Sequence, residues 1–409
     1  MTRGSDIRAV DATVTFRSVT FTAPLNLSSG SIRGLTEATV QVTAETRRGR
    51  RGWGTGVVLL SHPWACKPRP GVSGDDPAEL DRRMRALVTA AAAGLAGAGY
   101  GDPLQLAARM RHAATAPGLP ALAAQVCLAP VDAAVHDAWA MAAGRSAYRM
   151  YDAGWLNQDL GAYLGPAFRG RYPAHYLRRR PHRRLPYQHV VGLADPVTRL
   201  RQEAGGARWF KVKISGAGAA GDAARIVQVA HAAGPGARLC LDPNEGFAHP
   251  SGLHDVLGRL PAAVRSRISY AEQPIGRDAP GGADLTALAT HLPILIDEGC
   301  TDAADLDRHA ADGWSGVAVK TGRGGHSQAL LGYCWARHHG RFVTVQDLTS
   351  TGGALTHMAA LASWLDCSVP CLEANSLQYC PHANTGTAAA LRVEAGMISL
   401  AALPRRGIR

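Results

Sequence analysis

The chain has 409 residues, of which 46% are apolar, and a formal net charge of +12 at neutral pH. This composition can bury a large core in two domains, and it excludes a chain dominated by disorder. The eight cysteines form no CxxC pair and no zinc-finger spacing, so we expect buried thiols rather than disulfides or a structural zinc site.

The N-terminal sequence, MTRGSDIRAVDATVTF, lacks the apolar segment of a secretory signal, and no stretch approaches eighteen uninterrupted strongly apolar residues. We therefore expect a cytoplasmic protein with no membrane partner. Residues 10–22 and 39–45 alternate and are rich in β-branched side chains, and WGTGVVLL follows the turn RRGRRG. The pattern predicts a small antiparallel sheet.

Residues 23–35, APLNLSSGSIRGL, connect the first two predicted strands and are rich in Ser and Gly. A connection of this length suggests a lid over a site, although a plain flexible loop fits nearly as well. Helical patterns follow at 77–95, 103–114 and 121–144. Sheet and helices together predict an α+β capping domain over residues 1–150.

Residues 151–186 are irregular and rich in Tyr, Pro and Arg, with seven arginines between Arg169 and Arg184. The sequence leaves open whether this segment edges a site, packs at a subunit interface or does neither. Its charge would suit an anionic partner. No recognised nucleic-acid module accompanies it, so we expect a solvated surface and no nucleic-acid partner.

Eight apolar runs lie between residues 187 and 375, with helical patterns between them. Five consecutive runs end in charged residues: RWFKVKIS, RLCLDPNE, ISYAEQP, PILIDEG and GVAVK. From Lys213 to Lys320 the successive charges are 29, 30, 25 and 23 residues apart, about one strand, one helix and two loops. This spacing predicts a β/α barrel, in which the carboxyl ends of the strands face one mouth.

Asp242, Glu272 and Asp297 end three consecutive runs. Carboxylates held close together repel one another unless a cation neutralises them, and hard oxygen ligands suit Mg2+. We therefore predict a Mg2+ site, with Mn2+ as an alternative. Lys211 and Lys213 share one face of a strand, where each amine disfavours the charge of the other, so that one of them can act as a base. For any single residue, the alternative is a strand end that meets water.

The motifs KVKIS, LDPNEGF, YAEQP, LIDEG and VAVKTGRGG resemble the enolase superfamily, in particular the muconate-lactonising-enzyme-like branch of the mandelate racemase/muconate lactonising enzyme family. The resemblance covers residues 187–375 well and the first 145 residues loosely. It implies a (β/α)7β TIM-like barrel over 187–375, a cap whose loop 23–35 determines specificity, and a C-terminal segment, 376–409, that returns to the cap. It also implies a homo-oligomer.

The resemblance further implies that a lysine removes the proton alpha to the carboxylate of a small substrate, giving a Mg2+-stabilised enolate. Lys213 is the implied base, Lys211 helps to hold the substrate carboxylate, and Lys320 acts from the opposite face. Asp297 is the implied third metal ligand beside Asp242 and Glu272. Its neighbour Glu298, expected on the other side of the strand because side chains alternate, is the alternative ligand.

Further residues are expected to support the site. Asn244 shares the face of Asp242 and is expected to buttress it. Asp347, on the seventh strand, binds substrate, orients Lys320 or is a solvated strand end. Glu373, on the eighth strand, is expected near the substrate. The loop TGRGG at 321–325 lacks the P-loop pattern, so we expect a tight turn rather than a phosphate site.

Lysines are present on both faces of the implied site, Lys213 on one and Lys320 on the other, which favours a racemase, epimerase or cycloisomerase. A dehydratase that uses the same enolate, with a sugar acid or hydroxy acid as substrate, is the second reading. A barrel aldolase in which Lys320 forms a Schiff base is a third, but it leaves the three acids unexplained. The fourth interpretation is a non-catalytic barrel that binds an anion.

Overall fold

The computed structural model describes residues 3–28, 30–67, 74–279 and 283–409. Within them the strands form a three-stranded and a ten-stranded sheet. The strands are β1 Ile7–Leu27, β2 Gly30–Thr46, β3 Arg51–Leu59, β4 Arg184–Val191, β5 Trp209–Lys213, β6 Arg238–Asp242, β7 Ile268–Glu272, β8 Ile294–Ile296, β9 Gly316–Val319, β10 Phe342–Val345, β11 Leu372–Glu373, β12 Val393–Glu394 and β13 Met397–Ser399. The α-helices are α1 His62–Ala65, α2 Pro77–Gly94, α3 Pro103–Ala113, α4 Ala121–Ala143, α5 Gly161–Leu164, α6 Leu200–Glu203, α7 Ala219–Ala233, α8 Pro250–Gly258, α9 Ala262–Arg265, α10 Ala283–Ala289, α11 Leu306–Ala311, α12 Gly325–His338, α13 Gly352–Trp364 and α14 Ser376–Tyr379.

The first two strands form one long antiparallel hairpin, β1–β2. The pairing runs from Ile7 opposite Thr46 and, after an irregularity, ends with Leu27 opposite Gly30. Residues 23–35 are therefore almost entirely strand, and the prediction of a thirteen-residue loop there was wrong; Ser29 lies outside the described residues. Alternate apolar side chains of this segment are buried against the C-terminal part of the chain, which the Ser- and Gly-rich composition had concealed.

The cap places this sheet directly on α4. β3 carries glycines at 52, 54 and 56, and a Cβ on Gly54 would lie 2.0 Å from the backbone oxygen of Ala134 in α4. Only glycine permits so close an approach between strand and helix. Helices α2 to α4 lie within two residues of their predicted bounds.

Eight parallel strands, β4 to β11, make the barrel in the described part of the chain. Neighbouring strands pair in sequence order from β4 to β10, and β11 returns to pair with β4 through Leu372 opposite Tyr187. Seven strands are each followed by helix that leads to the next barrel strand, whereas the eighth, β11, is followed by the single turn of α14. The predicted (β/α)7β barrel with an N-terminal α+β capping domain is confirmed.

The C-terminal segment contains a hairpin, β12–β13, that the sequence pattern did not predict. β13 pairs antiparallel with the first barrel strand, with Ser399 opposite Arg184. The chain then reaches the cap, where the amide of Ile408 donates to Asp137 of α4 over 3.2 Å. Tyr148 donates its hydroxyl to the carbonyl of Ile408 at 2.9 Å.

The segment 151–186 packs against the C-terminal ends of two barrel helices. The Tyr176 hydroxyl lies 2.8 Å from Nδ1 of His338 at the end of α12, and the amide of Arg178 donates to the carbonyl of Trp364 at the end of α13. In a β/α barrel these helix ends lie opposite the carboxyl ends of the strands. Residues 176–182 therefore pack at the far end of the barrel from the mouth, whereas Leu156 and Asn157 of the same segment contact Arg3 and Asp102 of the cap.

All eight cysteines are free, six of them buried and two half-buried. No helix in the described parts of the chain is long and apolar enough to cross a bilayer.

Buried polar residues join the cap to the barrel. His136 of α4 lies 2.8 Å from the hydroxyl of Ser327 in α12, and Ser327 donates to Asp132 of α4 at 2.6 Å. His326 and His357, from α12 and α13, face each other with ring nitrogens 2.8 Å apart. Burial lowers the pKa of His326 to about 3 and holds the pKa values of His136 and His357 well below the ordinary value. The three rings are therefore neutral in the folded protein at neutral pH.

We expect the free energy of unfolding to decrease as the pH falls below about 6.5, the ordinary histidine pKa. Between that pH and the folded pKa of about 3, the unfolded chain binds a proton at His326 that the folded chain excludes. Each such histidine contributes about 1.4 kcal/mol per pH unit over this window. Urea unfolding between pH 7.5 and pH 5 measures the slope. His326→Gln should give a shallower slope, and equal slopes would contradict the assignment.

Candidate active site

The ends of five successive barrel strands bring charged side chains to one mouth. Lys211 and Lys213 lie on β5, Asp242 ends β6 and Glu272 ends β7. Asp297 and Lys320 directly follow β8 and β9. All six side chains are buried. Parallel pairing aligns the strands so closely that Lys213 and Asp242 are register partners. The structure therefore brings together the residues that the sequence predicted to converge.

Lys211 is surrounded by carboxylates. Its Nζ lies 2.5 Å from Oε1 of Glu272, 2.6 Å from Oε2 of Glu373 and 3.8 Å from Oδ2 of Asp242. It also donates to the side chain of Gln346. Burial by itself lowers the pKa of Lys211, but Glu272, Glu373 and Asp242 outweigh burial, so the pKa stands well above its ordinary value. Lys211 is thus a fixed cation in this arrangement.

Lys213 contacts Asp242 and Asn244. Its Nζ donates to Oδ2 of Asp242 and, over 2.8 Å, to Oδ1 of Asn244. The backbone amide of Asn244 donates a 3.0 Å hydrogen bond to Oδ1 of Asp242, and Asn244 has a φ of +44°. Asparagine is among the few residues that tolerate this left-handed conformation. Burial raises the pKa of Asp242, but Lys213 and Lys211 outweigh burial and keep it below its usual range.

Asp297 is held by two cations, one of which the sequence reading did not single out. Lys320 Nζ lies 2.8 Å from Oδ2 of Asp297, and Nη1 of Arg323 lies 2.5 Å from Oδ1. Arg323 is buried and also donates to the carbonyl of Ala318. It belongs to the TGRGG loop, which had been predicted only as a turn. A single cation in a glycine-rich loop at the carboxyl end of a barrel strand was the available signal.

Glu298 does not face away from the site. β8 ends at Ile296, so the alternation of side chains stops before Glu298, and the prediction based on alternation was wrong. Its Oε1 accepts from Asn244 over 2.9 Å and from the indole of Trp64 over 2.8 Å. Burial, and next Asp297, raise the pKa of Glu298 to about 7.

Trp64 is a cap residue that the sequence reading missed. Besides its hydrogen bond to Glu298, its ring lies 5.0 Å from Nζ of Lys320, within cation–π range. The neighbouring sequence does not indicate this role of Trp64, because both of its partners lie more than two hundred residues further along the chain.

Asp347 is buried, so it is not a solvated strand end. Its carboxylate accepts hydrogen bonds from the amides of Ser350 and Asn375, each 2.7 Å long. Lys320 contacts its backbone carbonyl, not its side chain, at 3.3 Å. Burial, and next Glu373, raise the pKa of Asp347 to about 6. The side chain thus fixes two loops of the mouth.

Lysine is scarce in this chain and concentrated at the mouth. Of the 44 basic residues other than histidine, four are lysines. Lys211, Lys213 and Lys320 lie among the carboxylates, and Lys67 of the cap donates to the carbonyl of Asn244 at 2.8 Å. An arginine stays protonated in proteins, whereas a lysine amine can lose its proton. The distribution favours proton transfer at this mouth.

The charge of the mouth fits a divalent cation. Among the described residues, six buried carboxylates face four buried cations: Asp242, Glu272, Asp297, Glu298, Asp347 and Glu373 against Lys211, Lys213, Lys320 and Arg323. Burial, and next Asp242, hold the pKa of Glu272 well above its ordinary value, which is the effect that a bound divalent cation would reverse. Oε2 of Glu272 is buried and accepts no hydrogen bond from any described residue, whereas Oε1 of Glu272 and Oδ2 of Asp297 face lysine amines. Carboxylate oxygens are suitable ligands for Mg2+.

Across the described residues, no group of three or more acidic, histidine or cysteine side chains is already spaced to hold a metal ion. Lysine amines lie next to the three predicted ligands and supply positive charge there: Lys213 at Asp242, Lys211 at Glu272, and Lys320 at Asp297. The number and type of oxygen donors therefore suit Mg2+, while the present spacing is that of ion pairs.

Comparison with known proteins matches residues 193–408 to a family model described as enolase C-terminal domain-like. No curated protein matches the sequence. Many solved structures share the fold. One is a dipeptide epimerase from Enterococcus faecalis V583, complexed with Mg and L-Leu-L-Tyr. It has 18% identity and a TM-score of 0.66, and the match covers 98% of this chain and 99% of that chain.

Two other similar structures are an N-succinyl Arg/Lys racemase from Bacillus cereus and a 2-chloromuconate cycloisomerase from Rhodococcus opacus. Each has 18% identity, a TM-score of 0.66 and covers 98% of this chain; the matches cover 94% and 95% of those chains, respectively. At this identity the likeness establishes the shared fold.

We expect Arg323→Met to lower the free energy of unfolding by about 3–5 kcal/mol, because it leaves the buried carboxylate of Asp297 with Lys320 as its remaining cation. Arg308→Met is the matched control, since Arg308 makes exposed ion pairs of 3.7 and 3.8 Å. Its removal should cost about 1 kcal/mol or less. Urea unfolding of the three proteins checks this, and equal losses in both variants would contradict a role for Arg323 in neutralising Asp297.

Proposed function

The chain belongs to the enolase superfamily, through its enolase C-terminal domain-like region, and on that premise we propose that it is an isomerase that removes the proton alpha to a substrate carboxylate. One observation carries the proposal. Asp242, Glu272 and Asp297 end consecutive strands, and Lys213 and Lys320 end the strands on either side. Two amines that flank a group of carboxylates can remove a proton from a carbon held between them and return it.

The amines transfer the proton. Lys213, as the neutral amine, takes the alpha proton, and the electron pair of the broken C–H bond moves into the substrate carboxylate. Lys320, as the ammonium, delivers a proton to the same carbon from the other side and inverts it. Lys211 holds the substrate carboxylate by charge. Asn244 fixes the position of Lys213 through their 2.8 Å hydrogen bond.

Asp242, Glu272 and Asp297 would hold Mg2+, with Mn2+ as an alternative and Glu298 as a neighbouring acid. When bound, the cation supplies positive charge beside the substrate carboxylate, where negative charge accumulates as the proton leaves. Among the similar structures, the dipeptide epimerase is a complex with Mg. The crowding of six buried carboxylates at the mouth, which raises the pKa of Glu272, supports the same requirement here.

An isomerase is favoured over the other readings. The similar structures include an epimerase, a racemase and a cycloisomerase. A dehydratase would have to protonate the leaving hydroxyl either with Lys320 or with a neighbouring acid, and the neighbouring side chains of Asp347 and Glu373 are already held by backbone amides and by Lys211. A Schiff-base aldolase or a non-catalytic barrel would leave the three converging acids without a purpose.

The end of the β1–β2 hairpin is the proposed lid. Ser28 donates its hydroxyl to the carbonyl of Asn244 at 2.7 Å, and the amide of Leu193 donates to the carbonyl of Asn26. The cavity beneath it has a volume of about 30 Å³. That volume is small beside the roughly 300–1,000 Å³ of cavities that bind small molecules, so we infer that the hairpin end moves away from the mouth when substrate enters.

We expect the purified protein with Mg2+ to exchange the alpha hydrogen of its carboxylate substrates for deuterium in D2O, and Lys213→Ala and Lys320→Ala to lower the exchange rate by at least about 100-fold. NMR or mass spectrometry follows the label. Loss of water from a hydroxy acid instead would indicate a dehydratase.

Lys213→Arg is the matched control for charge, because arginine keeps the cation and cannot act as the base. It should be as inactive as Lys213→Ala. Exchange that survives EDTA, or borohydride trapping of a substrate on Lys320, would contradict the proposal and favour the aldolase.

A further inference from the structure

The cavity above the catalytic lysines has an apolar roof. Lys211, Lys213 and Lys320 line its floor, and large apolar side chains also line it: Leu25, Leu27, Ile32, Trp64 and Leu348. The first three form the roof; they come from the end of the β1–β2 hairpin and are at most 8% exposed. Aromatic and aliphatic residues of the hairpin and of the C-terminal segment pack behind them.

Apart from the three lysines of the floor, which the proposed function assigns to the substrate carboxylate and the alpha proton, the charged groups in and beside the cavity are already paired. Of the acids that line it, Asp347 is bonded to two backbone amides and Glu373 to Lys211. Beyond the cavity, Arg323 is committed to Asp297. Lys67 is committed to backbone carbonyls. An ionised group placed against the roof would be desolvated without a partner, which is strongly unfavourable.

One lining residue offers an unused neutral acceptor. Asn375 is 5% exposed, and its Oδ1 is buried and accepts no hydrogen bond from any described residue. An unpartnered buried carbonyl is unfavourable, and a hydrogen-bond donor on a bound ligand would remove that cost. An amide N–H or a hydroxyl group can provide that donor.

From these features we propose that the substrate is a carboxylic acid with a single negative charge, an apolar substituent that lies under the roof, and a neutral hydrogen-bond donor for Asn375. The proposal rests on the proposed function, because that function places the carboxylate at the lysine floor. It disfavours dicarboxylic acids, acids with a cationic side chain, and polyhydroxylated sugar acids. Each of these would bury polar groups against Leu25, Leu27 and Ile32.

The test compares matched acids that share a carboxylate and an amide N–H and differ in the charge of the side chain. N-acetyl-leucine, N-acetyl-aspartate and N-acetyl-lysine form the series, 4-methylpentanoate lacks the donor, and gluconate represents sugar acids. Two readouts are taken: alpha-deuterium exchange by the wild-type protein with Mg2+, and the shift in melting temperature of Lys213→Ala on ligand addition. The second readout does not depend on turnover.

We expect N-acetyl-leucine to exchange at least about tenfold faster than the charged derivatives and gluconate, and to give the larger thermal shift. 4-Methylpentanoate should bind more weakly than N-acetyl-leucine. Exchange that favours N-acetyl-aspartate, N-acetyl-lysine or gluconate, or treats all alike, would overturn the substrate class and leave the proposed function standing. A thermal preference for N-acetyl-leucine without any exchange would support the substrate class and contradict the proposed function. Neither exchange nor thermal preference would overturn both.

Two roof variants sharpen the result. Ile32→Arg places a cation in the roof and should shift the preference between N-acetyl-aspartate and N-acetyl-leucine by at least about tenfold toward the former, because the second carboxylate then has a partner. Ile32→Ala should slow exchange of the leucine derivative without admitting the aspartate derivative, and it guards against a folding defect in the first variant. Gln41→Arg, which adds the same charge on an exposed position of β2, is the matched control and should change neither rate. An Ile32→Arg protein that folds and keeps the wild-type preference would overturn the placement of the substituent under the roof.

Discussion

The burial of six carboxylates at one end of a barrel is the constraint on which the rest of this structure depends. A buried carboxylate without a partner is strongly unfavourable, so each acid must meet a cation, a set of hydrogen-bond donors or a proton. Lys211 serves two acids, Lys213 serves Asp242, and Lys320 and Arg323 share Asp297. Asp347 uses two backbone amides instead. The loops at the carboxyl ends of the strands are positioned by these interactions.

The cap completes the same site from above. Trp64 bonds to Glu298 and lies over Lys320, so a cap residue contacts both a carboxylate and an amine of the mouth. The hairpin end excludes water with leucine and isoleucine side chains, and a lower local dielectric strengthens the ion pairs beneath it. The site therefore requires the cap to be docked. The neutral histidines between α4, α12 and α13 are part of what docks it.

The scarcity of lysine supports the proposed place of proton transfer independently of the ion pairs. Nearly all of the cationic side chains on the surface are arginines, including the solvated arginines of the segment 151–186. Its four lysines are all at or beside the mouth. Arginine would preserve every ion pair there but could not give up a proton, so the choice of lysine separates a chemical role from a purely structural one.

The sequence by itself determined the barrel, the cap helices and the convergence of Asp242, Glu272, Asp297 and the lysines. Strand and helix periods are local, and a charge at the end of a strand has a fixed place in a parallel barrel. Only the tertiary structure decided that residues 23–35 are paired strand, that Glu298 turns toward Asn244, and that Arg323 and Trp64 join the site. These outcomes depend on partners far away in the chain or on the residue at which a strand stops, such as Ile296 in β8. Local periodicity predicts neither the distant partners nor the residue at which a strand stops, because burial against a distant segment is a property of the folded chain.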